Sequence, residues 1–185
     1  MTREDPHRVC PVERAGGLDS GWRRLVQNPR RLLAPYIRPG SVVLDYGCGP
    51  GFFVPDAARL VGEKGKVIAV DLQRGMLDLL ERKPEMKGLE TRVETRTCPE
   101  DAIGIDEPID FALLFYVVHE TPDQAKLFAE LAALLKPDAR ALLVEPGFHV
   151  KRREFAETLD VAERAGLRLL RRPFRLVDHA AVLGK

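Results

Sequence analysis

Short apolar runs rich in branched side chains alternate along this chain with longer stretches in which apolar residues recur every three or four positions. The first pattern predicts buried strands and the second amphipathic helices. Val42-Val43-Leu44, Val67-Ile68-Ala69-Val70, Asp110 to Val118 and Ala141-Leu142-Leu143-Val144 read as strands, the continuous apolar runs suiting a sheet covered on both faces. Glu90 to Thr97 instead alternates, with Thr91, Val93 and Thr95 on one side and Arg92, Glu94 and Arg96 on the other. Leu167 to Leu170 and His179 to Leu183 read as closing strands.

Between these runs lie the helices. Trp22, Leu25, Val26, Leu32, Leu33 and Tyr36 follow helical spacing interrupted at Asn28-Pro29, which predicts two pieces joined at a kink. A helix is expected after Gly51, carrying Phe52, Phe53, Val54, Ala57, Ala58, Leu60 and Val61, with Pro55 tolerated in its first turn and Gly62-Glu63-Lys64-Gly65 closing it. Leu72 to Lys83 places Leu72, Met76, Leu79 and Leu80 on one face. Thr121-Pro122-Asp123-Gln124 reads as a capping-box start for a helix running to about Lys136. A last helix spans about Arg152 to Ala165 and stops at Gly166. Strands alternating with helices over a chain of this length predict a single α/β domain with a three-layer core and a mostly parallel sheet.

The 185 residues carry a formal net charge of +1 with 31% charged, which does not point to a nucleic-acid partner. Arg23-Arg24, Arg30-Arg31, Lys151-Arg152-Arg153 and Arg171-Arg172 are short clusters with acids nearby, the pattern of solvated faces. Cys10, Cys48 and Cys98 are odd in number and widely spaced, so neither a disulfide framework nor a zinc site is expected, and no metal is assigned. Met1 to Arg8 lacks the apolar core of a signal peptide, and Phe111 to Val118 is too short to span a bilayer, so a cytoplasmic location without membrane partners is expected.

Val42 to Phe52 packs a strand, a glycine turn and a helix start into one stretch. Gly47, Gly49 and Gly51 permit backbone conformations closed to other residues and let a ligand approach the main chain. The third glycine follows the second too closely for a dinucleotide fingerprint. Asp45, two residues before the first glycine, would repel a pyrophosphate and suits an ammonium group. Asp71, ending the second strand, is placed to accept from both hydroxyls of a ribose. The implied ligand is a nucleoside with a cationic amino-acid end. A tight turn at the glycines and a helix cap at Asp71 are the alternative reading of the same residues.

Leu44 to Gly51, Asp71 and the run Phe111 to Glu120 resemble the class I S-adenosylmethionine-dependent methyltransferases, in order and spacing over roughly residues 30 to 185. The resemblance implies a Rossmann-like αβα sandwich with a seven-stranded, mostly parallel sheet and an antiparallel last strand. It divides the chain into an N-terminal lid or extension at 1–20, N-terminal helices at 21–38 and a Rossmann-like core at 40–185. It implies S-adenosyl-L-methionine as cofactor. Asp45 would neighbour the methionine amino group, the loop Gly47, Cys48, Gly49, Gly51 and Phe52 would line the methionine moiety, and Asp71 would hold the ribose. Leu72 and Met76 would flank the adenine, and Phe115 would line the site. At Cys98-Pro99-Glu100-Asp101 the chain departs from the family, because Cys98 stands where an acid is usual and Pro99 has no N–H to give. Glu100 or Asp101 is the expected substitute.

The resemblance implies transfer of a methyl group to a small-molecule acceptor, since no large insertion is available to grip a macromolecule. A non-catalytic binding module for the same cofactor is the alternative, and a nicotinamide oxidoreductase a more distant one. His119 emerges where open α/β sheets place their ligands and titrates near neutrality, which makes it the leading general base. Tyr116 and Glu145 complete the catalytic candidates, with Glu120 and His149 as further wall residues. The residues do not specify the accepting atom or the oligomeric state.

Overall fold

A computed structural model describes residues 27–185. The lid expected at 1–20, together with Trp22, Leu25 and Val26 of the first helical piece, lies outside the described residues. Beyond the kink, Asn28 accepts the Arg31 N–H and caps a short helix α1 (Pro29–Leu33). The order is then β1 (Val42–Tyr46), α2 (Val54–Val61), β2 (Lys66–Asp71), α3 (Arg74–Glu81), β3 (Val93–Thr97), β4 (Ile109–Phe115), α4 (Gln124–Leu134), β5 (Leu135–Pro146), α5 (Arg152–Arg164), β6 (Arg168–Arg171) and β7 (Asp178–Gly184).

The described strands form a seven-stranded sheet in the order β3-β2-β1-β4-β5-β7-β6. β1 pairs in parallel with β2 and with β4, whereas β7 runs antiparallel between β5 and β6. The expected fold class is therefore borne out. Successive residues of the central strands face opposite layers. Val43, Val67, Leu113 and Leu142 pack with Leu33, Ala58, Leu77 and Leu80 from α1, α2 and α3. Leu44, Ile68, Leu114 and Leu143 pack with Phe128 and Leu131 from α4 and with Phe155 and Leu159 from α5. Strands buried on both faces explain the uninterrupted apolar runs, and β3, at the edge, keeps the alternating pattern and is only half buried.

Several boundaries differ from the sequence expectation: α2 begins at Val54, with Phe53 as its N-cap and Phe52 in the bend before it, and four others have a local reason. Glu90–Arg92 is a 3₁₀ turn, and pairing with β2 begins only where Val93 meets Val67. The α3 helix starts at Arg74 rather than Leu72, because the Asp71 carboxylate accepts the Gln73 N–H at 2.9 Å and keeps Gln73 extended. The fourth strand stops at Phe115 instead of Val118. Tyr116 takes φ 62°, and Val118–Glu120 winds into a 3₁₀ turn whose Val118 N–H donates to Glu145 Oε1 at 2.9 Å. Finally, Asp123 rather than Thr121 caps α4, accepting the Lys126 N–H at 2.9 Å, while Gln124 Nε2 donates back to the Val118 carbonyl. That helix ends at Leu134. Leu135 already pairs with Ile109 and Arg140 with Phe111, so residues 136–139 bulge out of β5 with Asp138 at φ 66°.

The chain leaves β1 for one side of the sheet and reaches β4 on the other, which opens a crevice beyond their carboxyl ends. Gly47 and Gly51 shape that crevice by close approach. At φ 69°, a side chain on Gly47 would place its Cβ 2.4 Å from Val117 Cγ2. At φ 76°, one on Gly51 would stand 2.3 Å from Leu80 Cδ1 on α3. Gly51→Ala should therefore cost about 2–4 kcal/mol from left-handed strain and overpacking together. Gly49→Ala has open space around its Cβ and should cost only about 1–2 kcal/mol from backbone strain. Urea unfolding of the two variants checks the order, and equal losses would contradict the packing argument.

Candidate active site

The crevice deepens into a cavity of about 490 Å³ walled by the β1 loop, the end of β2, the 98–100 segment, and the loops after β4 and β5. Gly47 and Cys48 both donate their N–H to the Val70 carbonyl, at 2.8 and 3.0 Å, which folds the turn against β2. Asp71 Oδ2 then accepts the Gly49 N–H at 2.8 Å. Asp71 does not cap α3, whose N-cap is Gln73 with no side-chain cap bond; its two oxygens hold the Gly49 and Gln73 N–H groups while the residue lines the cavity. Burial raises its carboxyl above the ordinary value, and those two bonds pull it partly back. Lys83 Nζ donates to the carbonyls of Pro50 and Gly51 from outside, completing the clamp on the turn.

Of the residues expected to hold the cofactor, Asp45, Gly47, Cys48, Gly49, Phe52, Asp71, Leu72, Met76, Cys98, Glu100 and Phe115 all line the cavity. Gly51 does not, because it faces Leu80 and supports the turn from behind. Asp101 also stays away, pairing with Lys126 at 2.7 Å, which leaves Glu100 at the wall. Burial foremost, then Asp45 and Asp71, pushes the Cys48 thiol well above its usual range, and burial with Asp71 pushes Cys98 up to about 11. Both remain protonated at neutral pH and act as small apolar wall residues.

Among the described residues that wall the cavity, acidic side chains predominate over basic ones. Asp45, Asp71, Glu100 and Glu120 contribute four carboxylates, and among the described residues no Lys or Arg lines it. Such a wall repels a diphosphate and attracts a cation. The open space at Gly49 adds room for a ligand against bare backbone. An ammonium group, a sulfonium and a vicinal diol fit this donor set, as S-adenosylmethionine requires.

At the other end stands His119. Its Nδ1 lies 2.5 Å from Glu145 Oε2, and the same carboxylate accepts the N–H groups of Val118 and His119 at 2.9 and 3.3 Å. Glu145 is buried behind the imidazole and does not line the cavity. Its place among the catalytic candidates is therefore that of a positioning residue. Burial works against a charged ring at His119, but the bond and charge of Glu145, with Glu120 adding to them, outweigh it and raise the histidine above 6.5. Because Nδ1–H faces a carboxylate, the neutral ring carries its proton there and Nε2 is left as the acceptor.

Tyr116 lines the cavity, but its hydroxyl donates to Asp178, which in turn accepts from Arg175 Nε at 2.8 Å, and Gln27 Nε2 donates to the phenol oxygen. The phenol is thus engaged as a wall. Sequence reasoning missed Tyr46, Gln73, Val117, Pro146 and Phe148, which also line the cavity. Their signal was positional, since each follows or ends a strand at the carboxyl edge of the sheet. Tyr46 is held protonated, burial pushing it to about 12.

A profile of the methyltransferase domain matches residues 43–138, just over half of the chain. The chain belongs to the methyltransferase domain family. That membership agrees with the class I resemblance carried by Leu44 to Gly51 and Asp71. A methyltransferase domain of this kind is also similar to the demethylmenaquinone methyltransferase of Lactobacillus johnsonii, 26% identical over 132 residues, covering 70% of this chain and 51% of that one. Against the ubiquinone/menaquinone biosynthesis C-methyltransferase UbiE of Vibrio vulnificus it is 29% identical, covering 71% and 49%. The chain thus spans about half the length of these relatives. Among solved structures, a SAM dependent methyltransferase from Aquifex aeolicus superposes with a TM-score of 0.85 at 26% identity, covering 95% of this chain and 98% of that one. A TehB-like methyltransferase from Corynebacterium glutamicum, at 21% identity and TM-score 0.73, shares the fold.

Because the carboxylate favours the protonated ring, the base form of His119 accumulates only as pH rises past a pKa above 6.5. In Glu145→Gln the burial penalty remains and the counter-charge is gone, so the His119 titration should move to lower pH. Ring-proton NMR titration of the two proteins checks this, and an unmoved or higher midpoint would remove Glu145 from its assigned role.

Proposed function

We propose that this protein is an S-adenosylmethionine-dependent methyltransferase acting on a small-molecule acceptor. The observation that carries the reading is the set of four carboxylates that wall the cavity beside a glycine turn whose middle residue, Gly49, leaves open space at its side-chain position. Bound S-adenosylmethionine would supply a methyl group made electrophilic by its positively charged sulfur. Asp45 would attract the ammonium end, Asp71 would accept from the ribose, and Leu72 and Met76 would flank the base.

The remaining residues orient and exclude. Phe52, Phe53 and Phe115 form an aromatic wall, with ring centroids 4.9 and 4.6 Å apart, that keeps water from the reacting centre. Positioning two reactants in this way can account for about 7–11 kcal/mol of barrier reduction. His119 Nε2 would take the proton that an acceptor hydroxyl or amine loses as it attacks, while Glu145 stabilises the resulting imidazolium. A small-molecule acceptor agrees with the named activities of the quinone-pathway relatives. No helix among the described residues is long and apolar enough to cross a membrane.

Two substitutions separate binding from chemistry. Asp71→Ala should weaken S-adenosylmethionine binding by about 1.5–3 kcal/mol. It should also cost about 1–3 kcal/mol of stability, because the Gly49 and Gln73 N–H groups lose their acceptor. Calorimetry that found an unchanged dissociation constant would contradict the ribose assignment. His119→Ala should leave cofactor binding nearly intact and slow transfer by about 10²–10⁴-fold. Single-turnover measurement with labelled cofactor is the readout, and an unaltered rate would remove the base.

A further inference from the structure

A second hollow, an open groove of about 410 Å³, lies against the first, and His119 and His149 line both. The other walls of the groove are Gln124 from α4, Val150, and the face of α5 carrying Glu154, Glu157, Thr158 and Val161. The two imidazoles stand edge to face with centroids 5.0 Å apart. His119 is fixed from behind by Glu145, whereas His149 is exposed on the loop after β5. The pair therefore forms the boundary between the two spaces, one half anchored and the other on the surface.

We infer that this groove is the acceptor subsite, and that it takes a small polar molecule of neutral or positive charge whose reacting hydroxyl or amine lies beside His119. The inference rests on the larger cavity being the cofactor site. At about 490 Å³ that cavity has the size of a site for one small ligand, and its walls from the β1 loop, the end of β2 and the 98–100 segment are assigned to the cofactor. A second reactant needs adjoining space that reaches the same proton acceptor, and the groove supplies it. Its charge sets the class of molecule. Glu154 and Glu157 line it, and among the described residues no Lys or Arg does. Glu154 Oε2 accepts the Lys151 N–H at 2.7 Å, and Glu157 Oε1 accepts from Arg153 Nε at 2.9 Å on a largely exposed pair, so both carboxylates are held in place beside the groove. A carboxylate or phosphate on the acceptor would meet repulsion there, and an ammonium would meet attraction.

The test uses the protein saturated with S-adenosylhomocysteine and three probes of one shape and different charge: tyramine, phenol and para-hydroxyphenylacetate. Ring resonances of His119 and His149 report occupancy. Tyramine should shift both histidines and bind about fivefold more tightly than para-hydroxyphenylacetate, a difference expected from a partly screened charge. Glu157→Lys, at a largely exposed position, should erase or invert that order without altering S-adenosylhomocysteine affinity. Normal S-adenosylhomocysteine binding with no histidine shift from any probe would overturn the subsite. So would tighter binding of the carboxylate probe, or a preference indifferent to Glu157→Lys. Failure of S-adenosylhomocysteine itself to bind would overturn the functional reading beneath it.

Discussion

One hydrogen bond, from the Gly49 N–H to Asp71 Oδ2, joins the carboxyl ends of β1 and β2 across the mouth of the crevice. Together with the Gly47 and Cys48 bonds to the Val70 carbonyl, it fixes the glycine turn against the second strand and defines one wall of the cavity. A carboxylate does this work well because it accepts from two backbone donors at once, Gly49 and Gln73, and still presents its edge to the open side. The cost is burial of a charge, visible in the upward pull on its carboxyl. Structural and ligand-facing roles thus fall on a single side chain.

Glu145 repeats this logic at the opposite end. It is delivered by the interior strand β5 and is almost wholly enclosed, which would be costly for an ion left alone. Its oxygens accept from the backbone of Val118 and His119 and from the imidazole, so the charge is spent on winding the turn and on aiming the ring. The turn exists at that point because the carboxylate gathers its N–H groups. The histidine and its support are therefore one folded unit.

Much of this was legible in the residues. The strands, their parallel order and the glycine turn followed from apolar runs and punctuation, and the ligand class followed from Asp45 and Asp71 flanking that turn. Boundaries set by side chains reaching across the fold were not legible. Nothing near Val118 in sequence announces that Glu145 will end its strand, nor does Thr121-Pro122-Asp123 reveal that Asp123 will take the cap. The same limit separated Glu145 from the cavity: a strand-end acid was expected to face the ligand, and its partners turned it inward. The groove beside α5 was equally hidden, since it joins residues from α4, the loop after β5 and one face of α5.

The contact between Gly47 and Val117 binds the cofactor turn to the segment that carries His119. Gly47 has no room for a side chain beside Val117, so a larger residue at 47 would require a smaller one at 117. Variation in acceptor preference through the 116–120 segment is therefore not free of the nucleotide end of the molecule. A lineage that drifts toward a new substrate at this loop keeps glycine at 47 for as long as a branched residue stands at 117.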